Sequence, residues 1–151
     1  MRGWQIRQLG PGSSTYFSGD STRNNIDRFA DIQLEANVEY RFDVATIFGF
    51  KVKSALFADM GNIWYRNNMG NPELDDAVLK LNKLYRDIAV DAGTSLRVDF
   101  NYFLIRFDWA YKIKNPQFAE FGNGWFHDAG LFKGQLNLLK GQFQLGINYP
   151  F

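Results

Sequence analysis

From Asp31 to Asp43 the chain alternates without a fault. Ile32, Leu34, Ala36, Val38, Tyr40 and Phe42 fall on one side, and Gln33, Glu35, Asn37, Glu39 and Arg41 on the other. Period two over so long a run is a β-strand, because a helix would scatter these groups around its axis. At ~3.3 Å per residue it reaches roughly 40 Å, longer than most strands of soluble domains and enough to cross a bilayer when tilted. The fold must therefore offer one long face to an apolar medium and the other to a polar one.

Four more stretches alternate. Residues 50–65 set Val52, Leu56, Ala58, Met60 and Trp64 against Lys51, Lys53, Phe57, Asp59 and Gly61, less regularly than the first. Residues 87–100 set Ile88, Val90, Ala92, Leu96, Val98 and Phe100 against Ala89, Asp91, Gly93, Ser95, Arg97 and Asp99. Residues 102–111 oppose Phe103, Ile105, Phe107, Trp109 and Tyr111 to Leu104, Arg106, Asp108 and Ala110. Residues 142–151 oppose Phe143, Leu145, Ile147, Tyr149 and Phe151 to Gln142, Gln144, Gly146 and Asn148.

The connections alternate too, at about seven, about twenty, one or two, and about thirty residues. Outer-membrane barrels have this parity, with short periplasmic turns and long outer loops. It assigns residues 66–86 and 112–140 to the outer side, and the end of the fifth strand to the periplasmic rim. Aromatic rings then form two belts, as they do at membrane interfaces. Tyr40, Phe42, Phe48, Phe50, Phe100, Tyr102, Tyr149 and Phe151 lie at the short-turn ends; Trp64, Tyr65, Tyr85, Trp109 and Tyr111 lie at the long-loop ends. A barrel also explains how a chain with 15 Phe, 7 Tyr and 4 Trp has a mean hydropathy of only −0.31.

Other classes are excluded in turn. No stretch has the ~18 consecutive apolar residues of a spanning helix. With 17 Lys+Arg against 16 Asp+Glu, no nucleic-acid footprint is expected. Zero Cys and one His leave no thiolate site and no multi-histidine metal site, so neither metal nor cofactor is expected. The polar-face charges (Glu35, Glu39, Asp59, Asp91, Asp108, Lys51, Lys53, Arg41, Arg97, Arg106) could pair as catalytic carboxylates, but read better as a solvated ion network lining a lumen. No enzyme activity is expected. His127 reads as a loop residue, and Gly122-Asn123-Gly124, lacking a following Lys-Ser/Thr, as a turn.

In the second connection Asn71 is a suitable N-cap and Pro72 a suitable first residue for a short helix over residues 72–84, with acidic residues early and basic ones late. The first thirty residues and the 112–140 loop are turn-rich. Five strands cannot close a membrane barrel, and an open sheet would leave unpaired backbone groups in hydrocarbon. Since Met1 to Ile6 does not begin a signal peptide, the expectation is part of a larger barrel: a loop over residues 1–30 and five meander strands over 31–151.

Three motifs carry a resemblance. They are Met1-Arg2-Gly3-Trp4; Phe57-Ala58-Asp59-Met60-Gly61; and the terminal pattern Phe143, Leu145, Ile147, Tyr149, Phe151, which resembles the signal read by barrel-assembly machinery. Together with the hairpin of residues 96–108, these resemble the outer-membrane assembly-factor superfamily, or bacterial surface antigen family, of BamA, TamA and the two-partner secretion transporters. The first motif is similar to the family's (V/I)-R-G-(F/Y) at the tip of its sixth outer loop, with Met1 and Trp4 as mild departures. The second is similar to its F-x-D-x-G strand motif.

The resemblance implies an all-β, antiparallel transmembrane β-barrel of which this chain forms the last five of sixteen strands. It implies a bacterial outer-membrane location, and a non-enzymatic role inserting or translocating client β-barrel proteins at a seam beside the last strand. Implied partners are the lipid bilayer, the clients, and accessory lipoproteins or an inner-membrane partner. Arg2 would fold into the lumen against Asp59 and Glu39, with Gly3 permitting close approach. Gly141 and Gly146 would leave the last strand weakly packed.

Competing readings are a soluble lipocalin-like β protein, a passive porin or adhesin barrel, and an Arg2 that is only a disordered terminal residue. Periplasmic βααβ modules upstream in the gene would separate the assembly factor from the porin.

Overall fold

A computed structural model describes residues 1–4, 8–15, 30–100, 102–118, 122–126 and 141–148. Five strands, β1 (Ile32–Ile47), β2 (Phe50–Trp64), β3 (Ala89–Asp99), β4 (Leu104–Lys114) and β5 (Gln142–Asn148), form one sheet in the order β1-β2-β3-β4-β5. Every neighbouring pair is antiparallel. No described helix is long and apolar enough to cross a membrane, which says nothing about strands.

The register keeps the two faces apart. One row across the sheet runs Tyr40, Leu56, Thr94, Trp109, Phe143, and the next Phe42, Ser54, Leu96, Phe107, Leu145. Between them on the opposite face runs Arg41, Ala55, Ser95, Asp108, Gln144. Hydroxyls that fall in the apolar rows are satisfied locally. Ser54 Oγ donates to the Ser95 carbonyl at 3.1 Å and Thr94 Oγ1 to that of Ala55 at 3.2 Å, which removes the cost of facing them to an apolar medium. Exposure along β5 alternates, with Phe143, Leu145 and Ile147 open and the residues between them half-buried.

The first strand is longer than its alternation suggests. Asp43 pairs with Lys53 and Ala45 with Val52, so Val44 is an extra residue in a β-bulge. The bulge ends the period-two pattern while pairing continues to Ile47. The β1–β2 connection is therefore two residues, not seven: Phe48 and Gly49, both at positive φ (51° and 84°), as a tight hairpin turn requires. β3 and β4 are joined at Phe100 and Phe103. Phe100 N–H donates to the Phe103 carbonyl at 3.0 Å, and their rings stack with centroids 4.8 Å apart.

The β2–β3 connection is helical only in pieces. Asn71 Oδ1 caps Glu73 N–H at 3.0 Å, Pro72–Ala77 is a 3₁₀ turn, Leu81–Lys83 another, and Leu84–Asp87 a single α turn, α1. The expected continuous helix is interrupted because Val78 bridges Tyr65. Tyr65 N–H donates to the Ala77 carbonyl at 2.9 Å and Leu79 N–H to that of Tyr65 at 3.1 Å. This fold-back covers Trp64, which is 0% exposed and sets its indole N–H 3.4 Å from Asp87 Oδ2. Trp64 is therefore a buried anchor, not the belt residue that its strand position suggests.

Lys114 fastens this connection to the β4–β5 loop. A bulge at Ile113 breaks the β3–β4 register, and the fully buried Lys114 ammonium donates to the carbonyls of Tyr85, Arg86 (3.1 Å) and Ile88 (2.9 Å). The rings of Tyr85 and Trp125 flank it at 4.8 and 5.7 Å, and Trp125 Nε1 donates to Tyr85 Oη at 3.1 Å. Lys114→Met strands these carbonyls without a donor. The expected cost is about 2–3 kcal/mol, read as faster protease cleavage within residues 65–88 and 115–126 while the strands stay protected.

Candidate functional site

Residues 1–4 lie on the polar face, across the middle of the sheet. Two features of that face prepare the place. Asn37, Asp59, Asp91 and Lys112 share one cross-sheet row, which puts two carboxylates side by side. In the next row Phe57 stands between Glu39 and Gly93, an aromatic ring where the pattern calls for a polar group. Adjacent like charges need a cation, and an exposed ring face attracts one.

Arg2 supplies it. Its Nε and Nη2 bond Asp59 Oδ2 and Oδ1, both at 3.0 Å, a bidentate fork. Nη1 donates to Glu39 Oε2 at 3.1 Å. The guanidinium carbon sits 3.5 Å from the centroid of the Phe57 ring, and the Arg2 backbone N–H donates to Asp59 Oδ2 at 3.1 Å. Partial desolvation opposes the charge on Arg2, but the hydrogen bonds and charges of Asp59 and then Glu39 outweigh it and raise the pKa of the guanidinium. The group stays charged at any physiological pH.

Gly3 extends the contact to β3. Its N–H donates to Asp91 Oδ2 at 2.8 Å, and a Cβ there would lie 2.6 Å from Asp91 Cβ. Glycine is required by that approach. The Arg2 carbonyl accepts from Gln144 Nε2 of β5 at 3.1 Å. Trp4 is buried, with Lys112 Nζ 5.5 Å from its ring centroid. One short segment thus touches β1, β2, β3, β4 and β5.

Glu39 is shared. It also accepts from Arg41 Nε at 2.7 Å and Arg97 Nη2 at 2.5 Å, so it would remain paired without Arg2. Asp59, whose side chain is 3% exposed, depends on Arg2. Among the described residues no group of three His, Cys, Asp or Glu side chains could hold a metal.

The expected set of Arg2, Gly3, Trp4, Asp59 and Glu39 is brought together. Gly61 has a different role. Its Cβ would collide with the Leu34 carbonyl oxygen and lie 3.0 Å from Glu35 Cα, so it serves the close pairing of β1 and β2. Phe143, Leu145 and Ile147 line the apolar face of β5, and Tyr149 and Phe151 lie outside the described residues.

Three contributors are not evident from sequence: Asp91, Gln144 and Asn62. Asn62 donates to the carbonyls of Gly12 (2.8 Å) and Asp87 (2.5 Å), while Gly12 N–H donates to Ile63 O at 2.8 Å. This pins residues 10–14 as a second anchor. A polar Asn62 between Met60 and Trp64 in a nominally apolar row is the signal for it.

The sequence model of the Omp85 superfamily domain matches residues 1–151. No curated protein and no solved structure matches the chain significantly.

Proposed function

The chain belongs to the Omp85 superfamily, and from that premise we propose that it forms the seam-bearing part of a barrel that inserts or translocates client β-barrel proteins. Members of the superfamily are outer-membrane proteins of Gram-negative bacteria that assemble or transport other proteins without enzymatic chemistry. On this reading the apolar rows face lipid, the polar face lines the lumen, and segment 1–4 is the tip of an outer loop folded inward.

The observation that carries the proposal is the placement of Arg2. It crosses from the loop to Asp59 and Glu39, so the loop holds the lumenal wall in one shape beside β5, which like β1 stands at an edge of the described sheet. Such an edge offers unpaired N–H and C=O groups to an incoming strand. Gly146 supports a weakly held edge. A Cβ there would meet nothing nearer than 3.7 Å, so space does not demand a glycine at that position.

The test is reconstitution of the full-length protein in liposomes with an unfolded outer-membrane β-barrel client, read as the heat-sensitive mobility of folded barrels on gels. The expected result is client folding at least several-fold faster than in empty liposomes. Ion conductance with no acceleration would mark a passive porin and refute the proposal.

A further inference from the structure

The peptide unit joining Arg2 to Gly3 is held from both sides. Its N–H donates to Asp91 of β3 at 2.8 Å, and its carbonyl accepts from Gln144 of β5 at 3.1 Å. The Arg2 side chain serves β1 and β2, both tied firmly to the sheet through β1–β2 pairs that run the length of the strands. β5 differs. Like β1 it stands at an edge of the sheet, but its described residues are held by only seven pairs to β4, from Leu104 with Asn148 to Ala110 with Gln142, against fifteen between β1 and β2.

Gln144 stands on the polar face in the row of Ser95 and Asp108, and its amide reaches the segment. Gln142, on the same face of the same strand, makes no hydrogen bond to the described part of the segment. The anchor on Asp59 does not depend on where β5 lies; the bond to Gln144 does.

We infer that Gln144 is a positioning residue that couples the seating of segment 1–4 to the position of β5. Displacing β5 removes the donor from the Arg2 carbonyl and loosens the loop. By reciprocity of coupled equilibria, withdrawing the loop loosens β5. The expected coupling is that of one part-buried hydrogen bond, roughly 2- to 10-fold in an equilibrium constant. Its use in client handling rests on the proposed seam at β5.

Hydrogen exchange on the full-length protein in lipid nanodiscs tests the coupling without any client. Gln144→Met keeps the length of the side chain and removes the donor; Gln142→Met is the control on the same face. Gln144→Met is expected to raise exchange of residues 1–4 roughly 2- to 10-fold, with no change for Gln142→Met. In the other direction, Arg2→Ala is expected to raise exchange across residues 142–148, and to do so far less when Gln144 is already Met.

Equal exchange of residues 1–4 in the two glutamine variants would overturn the inference. So would an Arg2→Ala effect on β5 that is the same in both backgrounds. Client folding on the same proteins separates the two readings. Coupling in a protein that accelerates no client supports the clamp and refutes the seam, whereas client folding without exchange coupling refutes the clamp alone.

Discussion

Arg2→Glu is expected to expel segment 1–4 from the polar face. The Asp59 carboxylate is almost fully buried and receives both arms of the guanidinium fork. Removing one partner of such a pair leaves an uncompensated buried charge, at about 3–5 kcal/mol. Reversal adds repulsion from Asp59, Asp91 and Glu39 together. The expected readout is protease access to the first fifteen residues in the intact full-length protein, with the strands still resistant.

The neighbouring carboxylates should rank below Arg2 and unequally. Asp59→Ala removes the fork, the backbone contact and the charge at once. Glu39→Ala leaves Arg2 with Asp59, Phe57 and both backbone contacts, so the seating of segment 1–4 is expected to lose roughly 1 kcal/mol. Glu39→Ala proving as damaging as Asp59→Ala would mean that the fork does not dominate the seating.

Gly93→Ala is the second large effect, and it acts on the sheet itself. A Cβ at Gly93 would collide with the Trp109 carbonyl oxygen of β4 and lie 2.6 Å from Phe57 Cζ and 2.8 Å from Ala110 Cα. The obstruction is mainly backbone, which cannot rotate away. The expected cost is roughly 3 kcal/mol, at the upper end of overpacking, seen as a lower denaturant midpoint for the barrel. Phe57→Leu in the same chain would relieve the ring contact but not the carbonyl, so it should recover little. Full recovery would show that Gly93 exists only to seat the Phe57 ring that lies beneath Arg2.

What the local sequence encodes of this fold depends on the range of each interaction. The two faces of β1 are written in the alternation from Ile32 to Phe42, because a strand side chain's direction is local. The bulge at Val44 is not, since β-branched and small residues follow it without period, and the strand therefore runs on past its apparent end. Trp64 and Lys114 escape the pattern for a different reason. Both are buried by loops that fold back from distant positions, and no local periodicity encodes that.

The site divides in the same way. Arg2, Asp59 and Glu39 were readable through the resemblance of their motifs. The parts played by Asp91 and Gln144 depend on cross-sheet register, which shifts with every turn length and bulge. Phe57 was the clue within reach. An aromatic ring in the middle of a polar face marks a place where another group comes to rest.

The most direct test of the central claim, that Arg2 latches the loop through Asp59, is the charge swap in the full-length protein. Arg2→Glu, Asp59→Arg and the two combined are assayed for protection of residues 1–4 and for client folding. Each single reversal is expected to lose both. The combination is expected to regain a substantial part, short of full recovery because Glu39, bonded to Arg2 at 3.1 Å, would then face a glutamate. A double variant as impaired as the sum of the two singles would contradict the latch.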